Sequence, residues 1–350
     1  MVGVSGIMRV KNDAEFITNC IESCIDALDE LVIVYNDCED NSAEIIESMR
    51  QKYPEKISVF EYPYKVFGVG LNKEEYEYAK MLPDGSPALL CNYYNFALSK
   101  VKYDYAIKID ADQVYFTDKL KYWCDVVRGK DVKKGNSYIG AIFHYYFLFY
   151  RLLSIRLGIR LHMMPTWLSK HIKPHYEQYA VKMTRKGLSC LSFSGVNVFK
   201  DNVWGVSLGL KNNLVNILPP FNGENDHLLF KVSNKTYYRR FDMNYYNLIS
   251  NSSYSLIEEF VHPYKPMFVG FCWFHMNSMR LRLKEKVLQV KRAYPKSIED
   301  IGTFLKYSYS KVEKKSDKRI HSLYQRILFS YIYNSDKETI ETNINILNKV

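Results

Sequence analysis

The chain has 350 residues, of which 47% are hydrophobic and 25% are charged, and its formal net charge is +10. This length and composition indicate a globular protein with one large domain or two of ordinary size, and they exclude a disordered or fibrous chain. The seven cysteines, an odd number without a secretory leader, argue against a disulfide framework, so we expect a reducing, cytoplasmic compartment.

The excess of positive charge lies mostly towards the C-terminus. Between Arg280 and Arg319 there are 13 Lys or Arg residues and 5 Asp or Glu residues. Such a segment attracts an anionic membrane surface or an anionic substrate, and a solvated helical face is the alternative interpretation. No zinc-finger, homeodomain or RNA-binding motif accompanies the charge, so the sequence does not favour a nucleic-acid partner.

The first third of the chain alternates between strand and helix patterns. Apolar, β-prone runs over Val2–Val10, Leu31–Tyr35 and Ile57–Tyr62 predict strands. Apolar residues at helical spacing predict helices between them, over Phe16–Leu28 and around Asn41–Met49. This order predicts a parallel sheet with right-handed crossovers, in which ligands bind at the carboxyl ends of the strands.

A fourth predicted strand, Tyr105–Ile109, ends in two carboxylates, Asp110 and Asp112. On a continuing strand these side chains share one face, because successive side chains alternate. Two such carboxylates repel each other unless a cation or hydrogen-bond donors lie between them, and oxygen ligands suit Mg²⁺ or Mn²⁺ bound to phosphates. A pair of aspartates that merely starts a loop is the alternative.

The middle of the chain is less regular. Residues 67–87 contain glycine and proline and are expected to form a loop over the same edge, before a helix at Asn92–Lys100. The aromatic run Tyr138–Tyr150, which basic residues follow, predicts either a buried strand with a basic loop or a segment in a membrane interface. The run is too short to span a bilayer.

The second half offers weaker patterns. Leu191–Phe199 predicts a strand, and Pro219–Phe230 predicts a polar turn followed by the start of a helix. Asp226 in that turn, with Glu224 beside it, could act as a base or could cap the helix. His275 lies inside an aromatic run, where a core position is the alternative to a ligand role.

Three motifs of the N-terminal third together resemble the family-2-type glycosyltransferases of the GT-A fold. They are the turn RVKNDAE after the first strand, the Asp-rich turn in LVIVYNDCEDNS after the second, and the D-x-D in IKIDADQ. The match covers Val2–Phe116, and weaker likeness extends to the turn GENDH and to His275. The resemblance implies an α/β, GT-A fold with a Rossmann-like, mostly parallel sheet flanked by helices, a mixed acceptor half and a helical C-terminal extension.

The resemblance also implies where the donor nucleotide would bind. The nucleoside would lie against residues of the first two strand ends and of the D-x-D, namely Arg9, Asn12, Asp13, Asp40 and Asp110, the last near the ribose. The family's second strand usually ends in Asp, whereas Tyr35 stands here and the acidic residues follow it. The detail of base recognition therefore differs from the family pattern.

Metal binding and catalysis are implied in the same way. Mn²⁺ or Mg²⁺ would be held by Asp110, Asp112 and His275 and would neutralise the charge that builds on the diphosphate leaving group. The base that takes the proton from the acceptor hydroxyl would be Asp226, with Glu224 second.

We therefore predict a metal-dependent, inverting glycosyltransferase that moves one sugar from a UDP-linked nucleotide sugar to a hydroxyl of a glycan or glycolipid, in surface polysaccharide or glycoconjugate biosynthesis. The sequence has no Q-x-x-R-W motif and no flanking membrane span, which indicates a non-processive enzyme, cytoplasmic or peripheral on the inner face of a membrane. The expected divisions are 1–118 for the nucleotide sugar, 119–280 for the acceptor and 281–350 as a basic helical extension, whose last helix, Asn334–Val350, is expected to be loosely attached.

Two alternatives remain at the level of sequence. A nucleotidyltransferase also uses paired carboxylates on a parallel sheet, but it needs a Gly-rich basic loop after the first strand, which the segment GIMRVKND lacks. A non-catalytic protein that binds glycans or a membrane surface through its aromatic and basic segments is the other.

Overall fold

The computed structural model describes residues 1–130, 135–157, 166–208, 210–211, 216–217, 219–223, 227–243, 254–263, 265–315 and 323–349. Its strands are β1 (Val4–Val10), β2 (Glu30–Tyr35), β3 (Ile57–Glu61), β4 (Val69–Leu71), β5 (Tyr105–Asp110), β6 (Gln113–Tyr115), β7 (Leu191–Lys200), β8 (Trp204–Ser207), β9 (Leu210–Lys211), β10 (Asn216–Ile217), β11 (His227–Lys231), β12 (Tyr237–Met243), β13 (Tyr254–Val261), β14 (Met267–His275) and β15 (Ile298–Asp300). Its α-helices are α1 (Ile17–Cys24), α2 (Ser42–Lys52), α3 (Lys73–Met81), α4 (Leu90–Leu98), α5 (Thr117–Arg128), α6 (Ser137–Leu157), α7 (Thr166–Arg185), α8 (Leu281–Ala293), α9 (Ile301–Leu305), α10 (Tyr309–Lys315) and α11 (Leu323–Asn343).

The main sheet of the described residues has the strand order β15-β8-β7-β11-β5-β1-β2-β3. β3, β2, β1 and β5 run parallel to one another, while β11 is antiparallel to both β5 and β7. β14 joins by pairing parallel with β7 and antiparallel with β6. This curled, mostly parallel sheet, with flanking helices and the C-terminal helix α11, confirms the predicted α/β fold class.

The parallel strands are buried on both faces, which explains their continuous apolar runs. Along β1 the side chains alternate, so that Met8 packs with residues of α1 and α5 whereas Ile7 packs with residues of α4. In β2, Val32 and Val34 join the α4 side, and Ile33 joins the other. The predicted order of strand, helix, strand, helix and strand in this third of the chain is therefore confirmed.

The aromatic run Tyr138–Tyr150 is not a strand, contrary to one of its two interpretations. It forms most of α6, a 21-residue helix that packs along α7. The two helix axes approach closely at Gly140, where a Cβ would collide with the carbonyl oxygen of His175. Apolar residues on both the inner and the outer face of α6 hide its helical period in the sequence. No described helix is long and apolar enough to cross a membrane.

Two shorter segments also differ from the sequence prediction. The predicted helix start at His227 is instead the first residue of strand β11, so no helix begins there. The predicted loop at residues 67–87 contains strand β4 and helix α3. This helix begins with a capping box, in which the Asn72 side chain accepts a hydrogen bond from the Glu75 backbone N–H and Glu75 accepts one from Asn72 in return.

The last helix is firmly anchored, contrary to the expectation of loose attachment. Asp336 of α11 is fully buried, and its carboxylate forms ion pairs with Lys119 of α5, at 3.1 Å, and with Lys173 of α7. It also accepts a hydrogen bond of 3.1 Å from the backbone N–H of Phe271 in β14. Burial by itself raises the pKa of Asp336, but the two lysines outweigh it and hold the pKa below its usual value.

We predict that Asp336→Asn lowers the free energy of unfolding by about 3 kcal/mol, because it leaves two buried ammonium groups without their carboxylate. Urea unfolding measures the change. Glu338→Gln is the matched control, since Glu338 lies on the same helix but is exposed, and it should change stability little. Equal, small effects of both substitutions would contradict a structural role of Asp336.

Candidate functional site

The carboxyl ends of three neighbouring parallel strands meet at one edge of the sheet. In the strand register Arg9 of β1 lies opposite Asp110 of β5, and Val10 lies opposite Tyr35 of β2. The polar segments that follow these strands are therefore neighbours in space. They include the residues that sequence analysis proposed for the nucleotide.

The turns after β1 and β2 are tied to each other by side chains. Asn12 has a left-handed backbone (φ 55°), and its side-chain oxygen accepts a hydrogen bond of 2.8 Å from the backbone N–H of Glu39. Asp40 accepts hydrogen bonds from the backbone N–H groups of Ala14, at 3.2 Å, and Ser42, at 3.0 Å. Burial alone would raise the pKa of Asp40, but these hydrogen bonds lower it, so Asp40 remains a carboxylate.

Arg9 brings a positive charge to this edge. Its guanidinium lies over the rings of Tyr94, at 4.5 Å from the centroid, and Tyr93, at 5.3 Å. It also donates a hydrogen bond of 3.1 Å to the Tyr94 hydroxyl. Two aromatic faces on α4 thus fix the direction of the guanidinium.

Asp110 is held by two basic side chains. Its carboxylate lies 3.2 Å from the Lys108 ammonium and 3.0 Å from Nε2 of the fully buried His227 at the start of β11. Burial by itself would raise the pKa of Asp110, but Lys108 and His227 outweigh burial and hold the pKa well below its usual value. Asp110 is therefore ionised at neutral pH.

Asp112 is paired with a residue that the sequence analysis counted only as part of the basic tail. The Arg280 guanidinium bridges two carboxylates, at 3.0 Å from Asp112 and 2.5 Å from Asp13. His275 approaches Asp112 on another side, with Nε2 at 3.4 Å. Burial raises the pKa of Asp112, but His275 and Arg280 outweigh it, so the pKa lies well below its usual value.

Asn197 and Asn222 orient His275. Its Nδ1 lies 2.6 Å from the side-chain oxygen of Asn197 and 3.3 Å from the side-chain nitrogen of Asn222. The shorter contact is that of an Nδ1–H donating to Asn197, and it fixes the ring so that Nε2 is directed towards Asp112. This is the arrangement in which a histidine binds a metal ion, with its other ring nitrogen fixed by a hydrogen bond.

The donor set fits a divalent cation only in part. Among the described residues, no group of three or more His, Cys, Asp or Glu side chains converges on one point as a complete protein site would require. Asp112 and His275 do converge, and Mg²⁺ and Mn²⁺ commonly bind through one or two protein ligands together with water and substrate phosphates. These two residues therefore fit a cation that arrives with a diphosphate.

A cleft of about 660 Å³ opens beside these residues. The predicted nucleotide-binding residues Arg9, Asn12 and Asp40 line it, and so do Tyr93 and Arg280. Asp13 and Asp112 connect to the cleft through their shared partner Arg280. Glu224 and Asp226 lie outside the described residues.

Sequence analysis missed the roles of Arg280 and His227 at this edge. Arg280 lies 168 residues from Asp112 along the chain, and His227 lies 117 residues from Asp110. A sequence signal was present only for His227, which is the last residue of the motif GENDH. The contact of Arg280 with Asp112 depends on the turn that follows β14, and no sequence pattern predicts this contact.

Comparison with known proteins gives one sequence match. Residues 3–151, less than half of the chain, match the sequence model of the family described as Beta-1,4-N-acetylgalactosaminyltransferase (CgtA). No curated protein matches the chain.

Among solved structures, TarS 1–349 of S. aureus in complex with UDP-GlcNAc is similar at 17% identity and a TM-score of 0.26, over 39% of this chain and 38% of that one. Glucosyl-3-phosphoglycerate synthase of Mycobacterium tuberculosis in complex with Mn²⁺ and UDP is similar at 14% identity and a TM-score of 0.20, over 32% of this chain and 34% of that one. The chain thus covers well under half of these structures. Over the N-terminal segment that carries the three strand-end turns, the chain is therefore similar to a family of glycosyltransferases, in agreement with the resemblance noted in its sequence.

Proposed function

We propose that the protein transfers one sugar from a UDP-linked donor to a hydroxyl of a glycan or glycolipid acceptor, with inversion at the anomeric carbon. The observation that carries the proposal is the shared cleft, since Arg9, Asn12 and Asp40 line it together with Arg280, which is paired with Asp112. Groups suited to a nucleoside and groups suited to a diphosphate thus border one space.

In this proposal the nucleoside lies between the turns after β1 and β2. Asn12 and Asp40 hold the two turns together, and Asp40 keeps acceptor capacity for a ligand, because a carboxylate has about four lone-pair sites and its hydrogen bonds from Ala14 and Ser42 do not use all of them. Asp13 forms an ion pair with Arg280 and so fixes the position of this guanidinium at the site. Asp110 would approach the ribose.

Asp112 and His275 would hold Mn²⁺ or Mg²⁺, with the donor diphosphate completing the coordination. A cation bound there would neutralise the negative charge that develops on the leaving diphosphate. Asp110 stays engaged with Lys108 and His227, so we place it beside the cation rather than directly on it.

Arg280 has a second role in this proposal. Without a donor its guanidinium neutralises Asp13 and Asp112, and it borders the cleft. The planar guanidinium can instead donate paired hydrogen bonds to phosphate oxygens. A diphosphate that draws Arg280 away would therefore expose Asp112 to the cation at the moment the donor arrives.

Asp226, with Glu224 as the second candidate, would remove the proton from the attacking acceptor hydroxyl. Support comes from the residues on either side of this turn. Asn222 lies 3.3 Å from His275, and His227 lies 3.0 Å from Asp110, so the described residues that flank Glu224 and Asp226 in the chain contact the proposed donor site. The family name makes N-acetylgalactosamine the first donor sugar to test, and a surface polysaccharide or glycoconjugate the first class of acceptor.

We predict slow hydrolysis of at least one UDP-sugar in the presence of Mn²⁺, beginning with UDP-N-acetylgalactosamine. Asp112→Asn should lower this rate at least about a hundredfold, because the leaving diphosphate loses its charge stabilisation. Release of UDP measures the rate. Asp118→Asn, which changes an exposed carboxylate on α5, should leave the rate intact, whereas unchanged turnover in Asp112→Asn would refute the metal assignment.

Arg280→Met should change two binding constants in opposite directions. The affinity for UDP should fall about tenfold, because charge-assisted hydrogen bonds to phosphate are lost. The affinity for Mn²⁺ without a donor should rise, because Asp112 loses a competing cation. Calorimetry measures both constants, with Arg292→Met on the exposed side of α8 as the control. A variant that binds UDP normally, or Mn²⁺ no better, would contradict the role of Arg280.

Asp226→Asn should lower the turnover of the donor by about 10²–10⁴-fold, the usual contribution of a general base. Thermal stabilisation by UDP should persist, because the donor site keeps its residues. Glu224→Gln is the matched control and should keep most of the activity. If only Glu224→Gln is inactive, the base is Glu224, and if both variants are active, the base lies outside this turn.

A further inference from the structure

The outer face of α6 carries a continuous exposed apolar stripe, which we define as Tyr138, Ile142, Tyr145, Phe149 and Leu152. Between 56% and 76% of each of these residues is exposed. Their spacing of three and four residues places them in one row along the helix, which at 1.5 Å per residue is about 21 Å long. A row of this size is more than the scattered single apolar residues expected on a protein surface.

The opposite face of the same helix is the one that packs on the protein. Gly140 and Phe147 are buried there, against α7. The stripe therefore faces mostly away from the core, although the Tyr138 ring at its first turn lies 5.1 Å from the Lys182 ammonium of α7. Its apolar area is available to an external surface.

The charged residues of α6 and of the chain on either side of it all have one sign. Between Asp131 and Glu177 the sequence contains no Asp or Glu, and every charged residue is Lys or Arg. Arg156 continues the row of the stripe on α6 and is exposed, as is Lys170 on α7. Lys173 of α7 differs from these exposed residues, because its side chain points inwards and forms an ion pair with Asp336.

From this combination we infer that the α6 stripe docks on the surface of an anionic lipid bilayer. Tyrosines and aliphatic side chains with flanking Arg and Lys are the groups that bind at the boundary between headgroups and acyl chains. A second copy of the chain fits less well, because a two-fold contact through the stripe would bring like positive charges together. The inference does not depend on the proposed glycosyl transfer.

The test is flotation of the full chain with vesicles of phosphatidylcholine alone and of phosphatidylcholine mixed with phosphatidylglycerol. We expect binding to the mixed vesicles, weak binding to phosphatidylcholine, and release by salt. The double substitution Ile142→Ser with Phe149→Ser should weaken binding at least about tenfold, since two side chains lose apolar burial. Arg156→Glu should weaken binding to the mixed vesicles only.

The matched control is Tyr78→Ser with Val203→Ser, which changes two exposed apolar residues away from α6 and should leave flotation unchanged. Unaltered thermal unfolding and UDP-sugar hydrolysis in solution would show that the α6 variants are folded. Flotation that is absent, or equal in all variants, would overturn the inference. Self-association that the double substitution abolishes, without any vesicle binding, would also overturn it and would assign the stripe to a second copy.

Discussion

The bridge of Arg280 between Asp13 and Asp112 is the contact that holds together the sheet edge with the candidate site. It joins the turn after β1, the segment after β5 and the start of α8, which are far apart in the chain. The two carboxylates are buried, and buried carboxylates at one edge repel each other unless a cation neutralises them. Arg280 supplies that charge within the protein, so the edge is assembled before any ligand binds.

The same principle governs the third carboxylate. Asp110 has its own partners in Lys108 and His227, which are different from the partners of Asp112. Arg280, the partner of Asp112, borders the cleft and is able to exchange partners, whereas His227 is fully buried. The two aspartates of the D-x-D therefore differ in their partners: Asp110 is held by Lys108 and His227, whereas the partner of Asp112, Arg280, borders the cleft and could be exchanged for a ligand.

The sequence predicted the features that depend on the local spacing of apolar residues and on the order of strands and helices along the chain. The strand ends at Val10, Tyr35 and Asp110 followed from apolar runs, and parallel order brought them to one edge. Arg280 and His227 could not be predicted in this way, because their contacts require the pairing of β14 and β11 with strands far away in sequence. The sequence did not predict helix α6, because both faces of this helix are apolar. It did not predict α3 either, although Asn72 and Glu75 have the spacing of a capping box.

The C-terminal helix reaches the site through β14. Asp336 accepts the backbone N–H of Phe271, four residues before His275, and the carboxylate lies so close to Gly270 that a Cβ there would collide with it. Gly270 also has a positive φ of 142°, which an L-residue rarely adopts. The strand that presents His275 is thus held in place by α11, α5 and α7 together. The segment that the sequence suggested was loosely attached therefore supports the strand that carries His275, a proposed metal ligand.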